Sequence, residues 1–153
     1  MVFIRKEGQF AEKMRLCFGI VDQSLPHLRK GLRSKEDMEA AAKILKGRKV
    51  AKGLRFIVVP ATNTIFKQAI ERGYIKTFIE AGAVICHPCC GLCCGMPYGL
   101  MTDDERILLT ANRNFIGRQG TKKTLGYLSS PTVAAATAVM GVVTDPADLP
   151  ALA

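Results

Sequence analysis

The sequence has no apolar run long enough to cross a membrane. A spanning helix needs about 18 consecutive apolar residues, and the strongest candidate, residues 133–143, is shorter and rich in alanine. The N-terminal residues, MVFIRKEG, also lack the long apolar core of a secretion signal. We therefore expect a cytoplasmic protein without a membrane partner.

Internal repeats and low-complexity linkers are absent as well. The 153 residues fall within the roughly 100–200 that are typical of one domain. Hydrophobic residues make up 48% of the chain and charged residues 23%, a composition that is ordinary for globular proteins and excludes disorder. The sequence therefore predicts one folded domain.

Acidic residues are scarce relative to basic ones. The net charge is +9, and the first 52 residues contain 13 Lys and Arg against 6 Asp and Glu. Such an excess is compatible with nucleic acid, an anionic surface or a polycarboxylate, although a solvated basic face is the simpler interpretation. Charge alone does not identify a partner, and nucleic acid is not the partner we expect.

The cysteines are not spaced as a disulfide framework requires, because such a framework joins distant segments. Five of the six lie in residues 86–94, which read CHPCCGLCC, and Cys17 is the sixth. A dense group of thiols in a chain without a secretion signal indicates a metal, a cluster or redox chemistry.

Four interpretations of this cysteine loop compete. Buried thiols can be inert. A structural zinc site usually uses two separated Cys-x-x-Cys pairs, whereas the pairs Cys86/Cys89 and Cys90/Cys93 abut. A thioredoxin-like redox pair, Cys86 and Cys89, is normally followed by a helix, but a glycine-proline loop follows here. Iron–sulfur ligation on a glycine-rich loop fits the spacing best, without fixing how many thiols take part.

Helix and strand signals alternate along the chain. Ser34 opens a capping-box pattern. Apolar spacing, caps and terminal glycines predict helices near residues 35–46, 63–72, 75–80 and 132–140, and strands near residues 54–60, 83–85 and 106–110, with another strand suggested by the apolar run at 16–21. Alternating strands and helices predict an α/β sheet, in which ligands bind at the carboxyl ends of the strands. The cysteine loop and residues 112–114 both follow predicted strands, so we expect them at one edge.

The second polar motif is NRNFIGRQG at residues 112–120. Its arginines, Arg113 and Arg118, suit a ligand with carboxylates, because guanidinium binds carboxylate with two parallel hydrogen bonds. Two surface arginines in a turn are the alternative interpretation. Together, iron–sulfur thiolates and carboxylate-binding arginines suit a cluster iron that acts as a Lewis acid on a hydroxy acid.

Three segments resemble motifs of the aconitase superfamily. Residues 88–95, PCCGLCCG, resemble its P-x-C-G-x-C-x-G ligand loop. Residues 112–120 match its N-R-N-F-x-G-R-x-G signature, and residues 127–136, YLSSPTVAAA, are similar to its Y-L-x-S-P-x-x-A-A-A segment. The resemblance covers about residues 36–148, and it is closest to large subunits of the isopropylmalate dehydratase type, including homoaconitase-like relatives.

The resemblance implies a three-layer α/β/α domain like the cluster-bearing third domain of these enzymes. It places the domain at residues 34–153, after a divergent segment at 1–33. The implied function is one part of a hydro-lyase that isomerises a hydroxy di- or tricarboxylic acid by dehydration and rehydration. The implied cofactor is a [4Fe–4S] cluster held by three thiolates.

Residue by residue, the resemblance assigns Cys90 and Cys93 as cluster ligands. It assigns Asn112, Arg113 and Arg118 to binding of the hydroxy-acid substrate, near its carboxylates.

One ligand of the family has no counterpart. The family's first cysteine lies in a Ser-Cys-Thr-Asn segment before the first helix, and the matching position is Lys30. The candidates for a third thiolate are Cys17, Cys86 and Cys89.

The family's general base, often a serine on another domain or a small subunit, also has no matching motif. We therefore expect no catalytic residue in this chain, no activity of the chain alone, and the remaining domains or a small subunit as partners. We interpret the chain as a piece or a degenerate copy of a larger enzyme. The alternative is a non-catalytic metal- or RNA-binding module derived from the same fold.

Overall fold

The computed structural model describes residues 2–4, 14–19, 35–89, 100–103, 105–111 and 115–152. None of the helices in this part of the chain combines the length and apolar character that a membrane crossing requires. In chain order, the elements are β1 (Val2–Ile4), β2 (Met14–Gly19), α1 (Lys35–Leu45), β3 (Ile57–Val59), α2 (Asn63–Glu71), α3 (Tyr74–Ala81), β4 (Val84–Ile85), β5 (Arg106–Leu109), β6 (Leu125–Leu128), α4 (Pro131–Met140) and a short 3-10 helix (Pro146–Asp148).

The strands form one mixed sheet in the order β4-β3-β2-β1-β5-β6. Strand β1 runs antiparallel to both of its neighbours, β2 and β5. The other three pairings are parallel. Strands β2 to β6 therefore all point the same way, and their carboxyl ends lie at one edge of the sheet. This arrangement confirms the predicted α/β class.

The helices cover one face of this sheet. Val58 of β3 and Leu108 of β5 contribute to a single buried cluster with residues of all four α-helices. Helix α4 contributes alanines to it, and their small side chains allow α4 to approach α1 closely. The helical members are Met38, Ala41, Ala42, Leu45, Ala69, Phe78, Ala81, Ala134, Ala135 and Ala138.

The opposite face of the sheet has its own buried cluster. Neighbouring side chains of a strand point to opposite faces, so the residues that flank Val58 and Leu108 lie here. In the described part of the chain, this face is covered by the segment around Met101. The cluster consists of Ile57, Val59, Cys86, Met101, Ile107 and Leu109.

The predicted helix starts are confirmed where the structure describes them. The Thr62 hydroxyl accepts a hydrogen bond from the Ile65 backbone N–H at 3.2 Å, and that of Ser130 accepts one from Val133 at 3.2 Å. Helix α4 ends at Gly141, whose φ of 78° favours glycine over residues with a Cβ. The predicted cap Ser34 lies outside the described residues.

The structure contains two strands that the sequence analysis did not predict. Neither β1 nor β6 was predicted, and β2 lies two residues earlier than the apolar run that suggested it. In β6, Leu125, Tyr127 and Leu128 are all exposed, so the alternation that normally marks a strand is missing.

Candidate functional site

Both sequence motifs leave the sheet at its carboxyl edge. The cysteine loop starts at Cys86, directly after β4, and the second motif follows Thr110 and Ala111 at the end of β5. Because β4 and β5 point the same way, the two loops leave the same edge, as predicted. Ser129 and Ser130, at the end of β6, lie at this edge too.

Cys86 is fixed at the start of the cysteine loop. Its backbone N–H donates to the Val58 carbonyl oxygen at 2.9 Å, which continues the β3–β4 pairing by one residue. Its exposed fraction is 6%, and it belongs to the apolar cluster that contains Met101 and Leu109. The Cys86 thiol therefore faces the protein interior.

The next residues of the loop lie beside helix α2. His87 is exposed, and its ring meets that of Phe66 edge-on, with centroids 5.7 Å apart and an interplanar angle of 86°. Phe66 belongs to the first turns of α2, so this contact positions the loop against the helix start. Cys89 follows and is exposed.

The segment after the cysteine loop pairs with the end of the second motif. Met101, just after the cysteine loop, forms a parallel bridge with Gly120, the last residue of the second motif. The Met101 N–H donates to the Gln119 carbonyl at 2.8 Å, and the Thr121 N–H donates to the Met101 carbonyl at 3.4 Å. The segment that follows the cysteine loop is therefore joined to the end of the second motif by backbone hydrogen bonds.

Gly120 permits this pairing because it has no Cβ. A Cβ at this position would lie 2.2 Å from the Met101 carbonyl oxygen and 2.7 Å from its nitrogen, distances that real Cβ atoms do not adopt. The glycine that ends the second motif thus serves the close approach of two backbones.

Arg118 is held by its own turn. Its guanidinium carbon lies 5.2 Å from the centre of the Phe115 ring, within the range of a cation–π contact. Its backbone N–H donates to the Phe115 carbonyl at 3.1 Å. The side chain is half-buried, whereas the Phe115 ring is exposed. This arrangement restricts the directions in which the guanidinium can point.

Gln119 is a candidate site residue that the sequence analysis did not single out. Its side chain is 3% exposed, and its amide nitrogen Nε2 has no hydrogen-bond partner within the described ranges. Burying an amide donor without a partner is costly. A polar residue in a glycine-containing loop is ordinarily expected at the surface, so only its place next to Arg118 could have drawn attention to it.

An exposed ion pair lies close in sequence to the Met101–Gly120 bridge. Lys123 Nζ lies 3.0 Å from Asp103 Oδ2. A hydrogen bond from Thr121 and the pairing with Lys123 lower the pKa of the Asp103 carboxyl below its ordinary value. The segment that follows the cysteine loop is thereby tied to the segment that follows the second motif.

Several predicted site residues lie outside the described part of the chain. These are Cys90 and Cys93, Asn112 and Arg113, and Lys30, for which the resemblance predicts the first ligand position.

For Cys17 the structure gives the place in the sheet. Its Cα pairs with Ile57, which pairs in turn with Val84. Cys17 therefore lies two strands from β4 and two residues before the level of Cys86, about 12 Å away by ordinary strand spacing. The structure does not bring Cys17 and Cys86 together.

The described residues do not provide a complete donor set for a cluster. No group of three His, Cys, Asp or Glu side chains among them is arranged to hold a metal ion. Cys86 faces the apolar interior, and Cys89 is the one exposed thiol in the described part of the loop. The described residues by themselves therefore supply no three-thiolate site, and we derive no reaction step through a cluster.

With this fold and these motifs, the chain belongs to the aconitase family: residues 33–141 match the family profile, described as aconitase family (aconitate hydratase). Among its relatives is the 3-isopropylmalate dehydratase large subunit of Caldicellulosiruptor bescii, which is 54% identical over 114 residues, or 74% of this chain and 27% of that protein.

Two further relatives give the same picture. The 3-isopropylmalate dehydratase large subunit 1 of Archaeoglobus fulgidus is 50% identical over 111 residues, which is 72% of this chain and 27% of that protein. The 2,3-dimethylmalate dehydratase large subunit of Eubacterium barkeri is 48% identical over 114 residues, with 74% and 27% covered. The chain spans about a quarter of the length of these relatives.

Proposed function

We propose that this chain supplies the cluster- and carboxylate-binding portion of a hydro-lyase of the isopropylmalate dehydratase type. The observation that carries the proposal is the pairing of Met101 with Gly120. It ties the end of the second motif to the segment that follows the cysteine loop, and both motifs begin at the sheet edge where α/β proteins bind ligands. The names of the relatives support a dehydratase role.

In this proposal Cys90 and Cys93 are two of the three cluster ligands. The remaining ligand position lacks its cysteine. A bound cluster would supply an iron that acts as a Lewis acid on the substrate. Lys30 stands at the first ligand position and is a poor ligand for iron. Binding of a cluster would therefore depend on Cys17, Cys86 or Cys89, or on a cysteine supplied from elsewhere.

The chain's own contribution to substrate binding is Arg118, with Asn112 and Arg113. The Phe115 ring holds the guanidinium of Arg118 at 5.2 Å, so less side-chain freedom is lost when it binds a carboxylate. A fixed guanidinium orients a dicarboxylate through two parallel hydrogen bonds. The substrate class that fits is a hydroxy acid with two or three carboxylates.

The catalytic base has no candidate in this chain, so we propose that the chain acts together with the remaining domains or a small subunit. We expect the purified chain alone to show no dehydration of 3-isopropylmalate. Robust turnover by the chain alone would contradict this expectation.

A chimera tests the proposal directly. Residues 34–152 of this chain would replace the matched segment of the Caldicellulosiruptor bescii large subunit, whose preceding sequence is kept, and the small subunit would be added. We expect dehydration of 3-isopropylmalate to be retained. Metal binding without turnover would contradict the proposal and favour the non-catalytic metal-binding alternative.

A pair of variants in the chimera tests the role of Arg118. We expect Arg118→Lys to raise KM about tenfold or more, because a hydrogen bond to a charged group contributes roughly 1.5–3 kcal/mol. The matched control is Arg72→Lys, an exposed arginine on the helical side of the molecule. Equal KM values for the two variants would remove Arg118 from the substrate site.

A further inference from the structure

The cysteine loop contains more thiols than cluster ligation uses. Cys86 and Cys89 match positions that are not ligands in the family, yet they form a Cys-x-x-Cys pair at the end of a strand. Both lie in the described part of the loop, and their environments differ sharply. Cys86 is 6% exposed, whereas Cys89 is exposed.

We propose that Cys86 and Cys89 form a peroxide-reactive dithiol that closes to an intramolecular disulfide. In this pair the exposed Cys89 meets the oxidant, and the buried Cys86 resolves the oxidised sulfur. The inference does not depend on a bound cluster, and it assigns a modification site to two cysteines that the proposed function names only as candidates for the third ligand.

The spacing of this pair meets the first requirement for closure. A disulfide requires Cα atoms within about 7 Å, a separation that four consecutive residues reach when the chain reverses its direction. The chain bends at Pro88 and Cys89, and proline restricts φ to about −65°. Pro88 therefore reduces the number of conformations of the reduced segment, so less conformational entropy is lost when the disulfide forms.

The first two residues of the four-residue segment are held in place. The Cys86 N–H bonds to the Val58 carbonyl at 2.9 Å, which ties the first cysteine to the sheet. The His87 ring rests edge-on against Phe66 of α2 at 5.7 Å. The backbone of Cys86 is thus fixed, and the thiol of Cys89 is accessible.

The chemistry balances with a peroxide as the oxidant. The Cys89 sulfur attacks one peroxide oxygen, the O–O bond breaks, and water leaves, which gives a sulfenic acid. The Cys86 sulfur then attacks the Cys89 sulfur, the S–O bond breaks, and a second water leaves. Two thiols and one hydrogen peroxide become one disulfide and two waters, so two electrons pass from sulfur to oxygen.

The experiment uses the full 153-residue chain, stripped of metal by a chelator and fully reduced. After brief exposure to hydrogen peroxide, the remaining thiols are blocked with N-ethylmaleimide in denaturant. The sample is then reduced and labelled with iodoacetamide. Tandem mass spectrometry assigns the two labels cysteine by cysteine. We expect the iodoacetamide label on Cys86 and Cys89, and N-ethylmaleimide on the other cysteines.

Variants separate the two roles. Cys89→Ser alters an exposed side chain, and we expect it to abolish the iodoacetamide label at Cys86. Cys86→Ala should leave Cys89 as a sulfenic acid that dimedone traps. Cys17→Ser is the matched control and should leave the disulfide unchanged.

Three results would overturn the dithiol. One is Cys86 remaining reduced while Cys89 pairs with another cysteine of the loop, and a second is no oxidation of Cys89. The third is a Cys86 label that survives Cys89→Ser. Because the protein is free of metal throughout, failure of the dithiol and failure of the proposed cluster function give different readouts.

Discussion

Met101 and Gly120 form a backbone bridge that joins the segment after the cysteine loop to the last residue of the second motif. Met101 is also buried in the cluster on the second face of the sheet, together with Cys86 and Leu109. Met101 is therefore held to the end of the second motif by hydrogen bonds and to the sheet by apolar packing.

Replacing Gly120 tests this bridge. We expect Gly120→Ala to lower the free energy of unfolding by about 2–4 kcal/mol, because its Cβ would lie 2.2 Å from the Met101 carbonyl oxygen. The control is Gly73→Ala, which has φ of 76° and no atom within 4 Å of the added Cβ, and should lose only about 1–2 kcal/mol. Urea unfolding measures both. Equal losses would show that the close approach to Met101 is not what requires glycine.

The ion pair beside the bridge should be visible in an acid titration. Because folding lowers the pKa of Asp103, its contribution to stability is present above the carboxyl's ordinary pKa and is lost as the pH falls through the lowered value. We expect Thr121→Val and Lys123→Met each to raise the Asp103 pKa, because each removes an interaction that lowers it. Carboxyl carbon NMR shifts report this pKa.

A neighbouring lysine provides the control for this titration. Lys122 is exposed like Lys123, and Lys122→Met removes the same charge without removing the 3.0 Å ion pair. An Asp103 pKa that moves equally in the two lysine variants would show that net charge, and not the pairing, lowers it.

Neighbouring residues of α3 should differ strongly in their contribution to stability. Phe78 is fully buried in the core between the helices and the sheet, so Phe78→Ala should cost about 3–5 kcal/mol through lost burial and the cavity it leaves. Ile79 is 58% exposed, and Ile79→Ala should stay within about 1 kcal/mol. Thermal unfolding compares the two. Similar melting temperatures would contradict the described orientation of α3.

Restoring the missing ligand position should strengthen iron binding. Lys30 stands where the family pattern has its first cysteine, so we expect Lys30→Cys to retain more iron and sulfide than the unchanged chain after anaerobic reconstitution. Lys35→Cys is a control that adds a thiol elsewhere in the same basic stretch. Equal iron in both variants would mean that position 30 is not the ligand position.

Much of the fold follows from local signals in the sequence. Helices α2 and α4 begin directly after Thr62 and Ser130, as these capping residues predict, because a capping hydroxyl satisfies a backbone N–H whatever the tertiary context. The apolar run before Pro60 predicts β3, because a short, continuous apolar run is typical of a buried strand. Strand β6 was not predicted, because three of its four residues are exposed. It therefore lacks the alternation of apolar and polar residues on which strand prediction depends.

The candidate site is less accessible to prediction. The spacing of the cysteines and of Arg113 and Arg118 identifies the motifs. However, the bridge between Met101 and Gly120 joins residues that are distant in sequence and have no shared pattern. The burial of Gln119 likewise results from tertiary packing of a loop, which composition does not encode.

Anaerobic reconstitution with iron and sulfide tests the proposed role of Cys90 and Cys93 most directly. Iron per chain, visible absorption and EPR would be measured for the unchanged chain and for the Cys90→Ala, Cys93→Ala double variant. We expect a cluster signal in the unchanged chain that the double variant loses, with the Cys17→Ser variant showing whether that residue supplies the third ligand. Equal iron in the unchanged chain and the double variant, or zinc bound in place of the cluster, would contradict the assignment of these two cysteines as cluster ligands.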